Sequence, residues 1–461
     1  MAQTYYAGET KIRPGVYHRY SAEQSTEQAN YDGYVAFAMA CNWGPTGEVV
    51  KLTSANSAYA TFGTNDATAA IEQIFKGGAS TVYCYRLTGT GGTAATVTAD
   101  EKMVFTAKYV GNVSLSVKIQ AKLGDATKNQ VVVLSGTTVV ETFDYAVGDS
   151  ALDNIVAAVA YSDYITAQKA ASATGAVTVG TYELTGGVNP TVANADYGTA
   201  VTAFEPYYYN VLATDSIESG VMNILKAYVD TAFNNGKNII AVIGDTTDTA
   251  FTARLANAAA CDNEKVVYFG SGWVDTNGDT IKGVKAIAYT AGAVASTPST
   301  RAITRLRIKD GAEVLERLTN AQYESAIENG LLVVSSGPQD ETWFDSGITT
   351  LIHPNENQDD GWKKIKRVKV RFELMRRIEN VMAPKIGVVP ANSDGQAYLI
   401  QCGLGIIGEM VAEGKLNSGN FYPDPELPMT SDSVWFIIEA ADVDSLEKIY
   451  LHYKFKYNAN A

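Results

Sequence analysis

The sequence predicts an α/β core, α+β overall: a layered sheet-and-helix body with a β-rich inserted domain, a C-terminal α+β domain and extended, strand-forming terminal arms. Three observations predict it. Short, near-continuous apolar runs alternate with stretches of helical spacing, the order expected of a mostly parallel sheet covered on both faces. A stretch rich in Thr, Val, Ala and Gly interrupts that order at about 90–193. Both chain ends are strand-like and set apart by turn or polar segments. At 461 residues the chain has room for about three domains, and its 46% hydrophobic and 19% charged residues describe an ordinary globular balance.

The elements follow in order. Residues 1–20 form an N-terminal arm, in which Pro14 keeps Arg13 out of helix and Gly15, Val16 and Tyr17 begin an alternating, strand-like run. The first part of the core, 21–89, holds a buried strand over Tyr34–Cys41, a break at Gly44-Pro45, a helical pattern over 55–76 and a strand over Thr81–Leu87. The inserted outer domain, 90–193, shows alternating runs at Val113–Ile119 and Val131–Leu134 and one helix at Asp149–Ala160. No arginine occurs between Arg86 and Arg254, so the insertion reads as a mildly charged surface module.

The core resumes over 194–345 with strands at Tyr209–Ala213, Asn238–Ile243, Lys265–Phe269 and Leu331–Ser336. Helices are expected at about 217–234, 247–260 and 283–295. Asp275, Asn277 and Asp279 stand two residues apart, but a calcium loop also needs a terminal Glu, so an Asn277-Gly278 hairpin accounts for them better. The C-terminal domain, 346–444, carries a basic segment, a helix over about 394–413 ending at Gly414, a Pro-rich loop and a strand at Val434–Glu439. The C-terminal arm, 445–461, sets Leu451, Tyr453, Phe455 and Tyr457 on one face of a strand and His452, Lys454 and Lys456 on the other.

Charge and motif content exclude several classes. With 36 Lys+Arg against 50 Asp+Glu the chain carries a formal −14, so phosphate repels it and direct nucleic-acid binding is not expected. No apolar run reaches the ~18 residues of a membrane span, so no direct membrane insertion is expected, and no signal peptide is visible at the start. Cys41, Cys84, Cys261 and Cys402 form no CxxC pair, and His18, His353 and His452 are isolated, so no metal site, no cofactor and no catalytic set is expected. Gly403-Leu404-Gly405-Ile406-Ile407-Gly408 matches GxGxxG, but within a helical pattern, where close helix packing explains it. The chain reads as not an enzyme.

The basic segment is the most informative local feature. From Trp362 to Arg377, Lys363, Lys364, Lys366, Arg367, Lys369, Arg371, Arg376 and Arg377 stand against the single acid Glu373, a formal +7 that leaves the rest of the chain at −21. Ile365, Val368, Phe372, Met375 and Ile378 recur at helical spacing, so a helix with one buried face fits, with a strand over Ile365–Phe372 as the competitor. Such a segment is either a solvated face or a docking face for an acidic partner. The two ends suggest a second mode of association, because a free strand can extend another chain's sheet.

Taken together these features resemble the sheath protein of contractile tails, found in myophages, phage-tail-like bacteriocins and related injection systems, in the version from phages of Gram-positive hosts. The likeness rests on Arg13-Pro14-Gly15-Val16-Tyr17, Gly44-Pro45-Thr46-Gly47-Glu48-Val49-Val50, Gly77-Gly78-Ala79 before Val82-Tyr83, Arg367-Val368-Lys369-Val370-Arg371 with Arg376-Arg377, and the distal strand and arm. It implies stacked hexameric rings around a tail tube, arms adding strands to neighbouring subunits, an outward-facing insertion and an innermost C-terminal domain. The eight cations of the basic segment are then the tube-facing candidates, and Gly15, Val16, Tyr17, Leu451, Tyr453, Phe455 and Tyr457 the strand-exchanging ones. The implied partners are further copies of the chain, the tail tube protein, and baseplate and tail terminator proteins. The implied location is the bacterial cytoplasm for synthesis and a virion tail or tail-like particle for function. A surface-layer or adhesin-like assembly protein and a cytosolic α/β enzyme are the competing classes.

Overall fold

The computed structural model describes residues 3–4, 17–18, 32–338 and 341–456. Residues 1–31 form a unit of their own, in which Gln3–Thr4 and Tyr17–His18 pair as a short parallel ladder. Of the expected strand residues, Gly15, Val16 and Tyr457 lie outside the described residues.

In the second unit a seven-stranded sheet organises the core. Its strands are β1 (Tyr34–Met39), β2 (Val49–Leu52), β3 (Thr81–Arg86), β4 (Val211–Thr214), β5 (Ile240–Gly244), β6 (Val266–Phe269) and β7 (Leu331–Leu332). They run in the order β7-β6-β5-β4-β1-β3-β2, parallel throughout except for β2, an antiparallel edge on β3. Alternate residues feed two separate cores: Val35, Phe37 and Met39 face one, Ala36 and Ala38 the other. Both faces are buried, which is why these strands read as continuous apolar runs.

On the first face lie α1 (Ala55–Phe62), α2 (Asp66–Lys76) and a helix over Val284–Ser296. The helical pattern expected over 55–76 is two helices. Gly63, at φ +69°, ends the first, and Asn65 starts the second by accepting a hydrogen bond from the Thr68 N–H at 3.0 Å while the Thr68 hydroxyl caps Asn65 in return. The other face is covered by a helix over Asn194–Ala203 and by α3 (Ser219–Asn234), with α4 (Phe251–Ala259) beyond. The run Leu331–Ser336, expected as one strand, also divides. β7 joins the main sheet, whereas Val334–Ser336 pairs with Thr342–Phe344 in a separate ladder.

The segment within 90–193 builds two further sheets, of four and three strands, with a helix over Ala151–Ala158 and its own apolar core. Its entry and exit lie side by side through the bridge Thr90–Thr191. Two core residues reach into it. Trp43 stacks on Tyr164 with ring centroids 5.6 Å apart. The buried Arg86 guanidinium donates to the carbonyl of Cys41 at 3.0 Å and to that of Val110 at 2.7 Å.

The loop at 275–279 is the expected Asn-Gly turn. Asp275 Oδ1 accepts from the N–H groups of Asn277 and Asp279, each at 2.9 Å, and Gly278 takes φ +88°. The C-terminal region comprises α5 (Ile365–Met382), α6 (Ser393–Ala412) and a hairpin of β8 (Leu416–Pro423) with β9 (Phe436–Asp442). The basic segment is therefore helix, not strand. Its buried residues divide between two cores: Ile365, Val368 and Phe372 join the main one, Val370 and Leu374 the C-terminal one. The single apolar stripe expected to run on through Met375 is corrected, since Met375 is 41% exposed.

Candidate assembly surface

The charge of α5 is held within its own chain. Arg367 grips Asp442 with two hydrogen bonds, Nε–Oδ2 at 2.8 Å and Nη2–Oδ1 at 2.7 Å, a bidentate geometry that only a guanidinium provides. Arg371 reaches Asp442 at 3.2 Å and Asp359 at 2.7 Å, with its guanidinium 4.6 Å from the Trp362 ring centroid. Lys364 pairs with Asp444 at 2.7 Å and Glu447 at 2.9 Å. Thr304 adds a hydroxyl donor to Glu447 at 2.8 Å. Burial alone raises the Asp442 carboxyl, but the two guanidiniums outweigh it and leave it below the usual range. A hydrogen bond from Arg371 holds Asp359 low as well.

The remaining cations are tied down in other ways. Lys363 pairs with Asp360 one helical turn away at 3.0 Å. Lys369 is half-buried, donates to the Val294 carbonyl at 2.8 Å and lies 3.5 Å from Asp32, and desolvation lowers its pKa. Lys366 is buried, and desolvation lowers it too. Arg376 donates to the Tyr208 hydroxyl. Arg377 bonds Glu373 at 2.6 Å and Glu413 at 2.8 Å, and Lys415 bonds the same two carboxylates at 2.7 Å each. Glu413 is brought down to about 2 by the Arg377 hydrogen bond.

The basic segment is thus no open patch in the isolated chain. Lys364, Arg367 and Arg371 clamp the root of the C-terminal arm, because Asp442, Asp444 and Glu447 are the residues through which the chain leaves β9. Sequence reading missed this role. The acids were visible as Asp359-Asp360 and as a spaced Asp442, Asp444, Glu447 run, but partners about 75 residues apart carry no local signal.

Beyond Glu447 the arm loses cover. Ile449, Tyr450, Leu451, Tyr453 and Phe455 are all exposed, Phe455 at 94%. Residues 443–456 form no ladder here, yet Tyr453 and Phe455 stack at 6.2 Å with ring planes 13° apart, as side chains two apart on an extended segment do.

The β8–β9 hairpin immediately precedes the arm in the chain. Among the described residues it contains two strands only, so each strand has one free edge. One face lies on α6: a Cβ on Gly403 would come within 2.5 Å of the Phe421 ring, so the GxGxxG run is a close-packing device at this glycine. No group of three or more His, Cys, Asp or Glu side chains converges as a metal site among the described residues, and no described helix is long and apolar enough to cross a membrane.

Comparison with known proteins gives the same direction. Residues 191–350 match the family described as the phage tail sheath protein central domain. The phage-like element PBSX protein XkdK of Bacillus subtilis (strain 168) is 22% identical over 97% of this chain and 98% of its own. A sheath tail protein from Desulfitobacterium hafniense shares the fold at a TM-score of 0.74 and 20% identity, covering 93% of this chain and 100% of that one. The helical sheath of the anti-feeding prophage in its contracted state matches at a TM-score of 0.58 and 13% identity, covering 97% of this chain and 100% of that one.

Proposed function

We infer that this chain, which carries the phage tail sheath central domain over residues 191–350 and a sheath fold over 93% of its length, is the structural subunit of a contractile tail sheath. The observation that carries this reading is the fold match of 97% of the chain to a helical sheath in a contracted state. Subunits polymerise as stacked hexameric rings around a tail tube and contract to drive the tube through a target cell envelope. The role is mechanical and needs no catalysis. The chain is made in the bacterial cytoplasm and works in a virion tail or tail-like particle, where tube, baseplate and terminator proteins are its further partners.

The hairpin and the arms supply the chemistry of polymerisation. Unpaired N–H and C=O groups on the outer edges of β8 and β9 accept an added strand, and Leu451, Tyr453, Phe455 and Tyr457 at one end, with Gly15, Val16 and Tyr17 at the other, supply it. The tube contact proposed for the basic segment narrows to the turn just before α5. There the side chains of Lys363 and Asp360 are 36% and 86% exposed and Asp359 is 58% exposed, whereas Lys366, Lys369, Arg376 and Arg377 are buried or committed inside the chain. Exposed ion pairs are worth about 0–1 kcal/mol each, so a ring of them can hold a tube and still release it. Energy is stored at assembly and released as subunit contacts rearrange, as in other strain-release switches.

Negative-stain microscopy of the purified chain is the direct test, with rings or cylinders as the expected result. A species that stays monomeric at high concentration with both ends intact contradicts the reading. Deleting 445–461 is expected to abolish polymers while leaving the melting temperature of the subunit within a few degrees.

A further inference from the structure

An apolar pocket of about 310 Å³ opens where the loop after α5 meets the long connection of the hairpin. Met382, Ile386, Pro390, Leu399, Val434 and Phe436 are among its walls. Ile386 is 82% exposed, so the pocket opens to solvent on that side. Phe436 is also the first residue of β9, so the pocket lies at the start of that strand.

Register defines which way an added strand must face. Phe421 is opposite Ile438 and Pro423 opposite Phe436, so these four share one face of the hairpin. That is the helix side, because Phe421 is buried against α6. At the edge it is left partly open, with Ile438 41% exposed. The opposite face carries Glu439, whose carboxylate accepts from the Tyr422 hydroxyl at 2.7 Å. The arm is two-faced in the complementary sense, aromatic at Tyr453 and Phe455 and basic at Lys454 and Lys456.

We propose that this pocket receives an aromatic side chain, Tyr453 or Phe455, from the C-terminal arm of a second copy. The aromatic row of the added strand then covers Ile438 and fills the pocket beside Phe436, and its basic row lies outside next to Glu439. Three features select this occupant: the position of the pocket at the start of β9, whose outer edge is unpaired among the described residues, the match of charge on the outer face, and an aromatic row left exposed at Tyr453 and Phe455. The proposal rests on the sheath reading and adds to it the face and the anchor of the arm.

The test uses the full-length chain and a fluorescent synthetic peptide of residues 445–461. Anisotropy is expected to show saturable binding. Binding should weaken by about tenfold or more when the pocket is filled by Ala391→Trp, and equally when Tyr453 and Phe455 of the peptide are both Ser. Ala391 is an exposed pocket residue, so an unchanged melting temperature separates loss of the pocket from loss of the fold. Equal affinity in all three cases overturns the proposal. Oxidising a mixture of A391C and F455C chains, each with Cys261 and Cys402 replaced by Ser, is expected to give a disulfide-linked dimer. A cross-link found only within a chain carrying both cysteines puts the chain's own arm in the pocket and overturns the second-copy occupant. The peptide decides the pocket and the appearance of rings or cylinders decides the sheath reading, so the two fail separately.

Discussion

Glu413 and Gly403 show how single residues set the C-terminal domain. The carboxyl of Glu413 sits at about 2 through its bond to Arg377, below the usual ~4.3 of an unfolded glutamate. A depressed carboxylate stabilises the fold fully above its unfolded pKa and loses that contribution as pH falls through the folded one. The melting-temperature gap between the wild type and Glu413→Gln is therefore expected to be constant above about pH 5 and to close towards pH 2. Gly403 is fixed by space, since a Cβ there would meet the Phe421 ring at 2.5 Å, whereas Gly405 and Gly408 have nothing within 4 Å. In denaturant melts Gly403→Ala is expected to cost about 1–3 kcal/mol. Gly405→Ala and Gly408→Ala should instead stabilise by about 0.5–1 kcal/mol, the ordinary helix gain. The sequence motif could not distinguish these three glycines, because only the partner across the interface does.

At the scale of elements, α5 is the piece whose meaning changed most between sequence and structure. Its helical spacing was legible, and so was its charge. Its partners were not, because Asp442 and Asp444 approach only once the hairpin has folded back onto it. The division of its apolar residues between two cores also has no signature in a single helical period. The positions of the inner strands of the main sheet were easier, since burial on both faces writes an unbroken apolar run into them. The exceptions are local. A left-handed Gly63 splits one helical pattern, and a change of sheet after Leu332 splits one strand. Asp442→Asn tests the clamp: it leaves Arg367 and Arg371 without their shared carboxylate and is expected to cost about 2 kcal/mol. Amide exchange should quicken over 436–447 in the same variant and stay unchanged in the main sheet.

For the whole molecule, the core and the 90–193 segment are separable in their packing. Each has its own apolar cluster, and Thr90 and Thr191 are bridged at the neck. Replacing 92–189 with a short Gly-Ser linker is expected to leave a cooperative melt and, by microscopy, unaltered polymers. Loss of the cooperative melt would show that Trp43 and Arg86, which reach across to Tyr164 and Val110, bind the two into one folding unit. Adding Trp43→Ser to the deletion should improve solubility, since the indole loses its aromatic cover.

The clamp at the base of the arm also limits travel. The chain is pinned as far as Glu447, and only the eight residues from Lys448 to Phe455 separate that anchor from the last described aromatic. Fully drawn out, such a leash spans about 27 Å. On the proposed arm exchange, two subunits joined through it slide and turn against each other within that radius and no further without letting go. On that reading, the spacing between a carboxylate and a ring puts a ceiling on the stroke of each subunit.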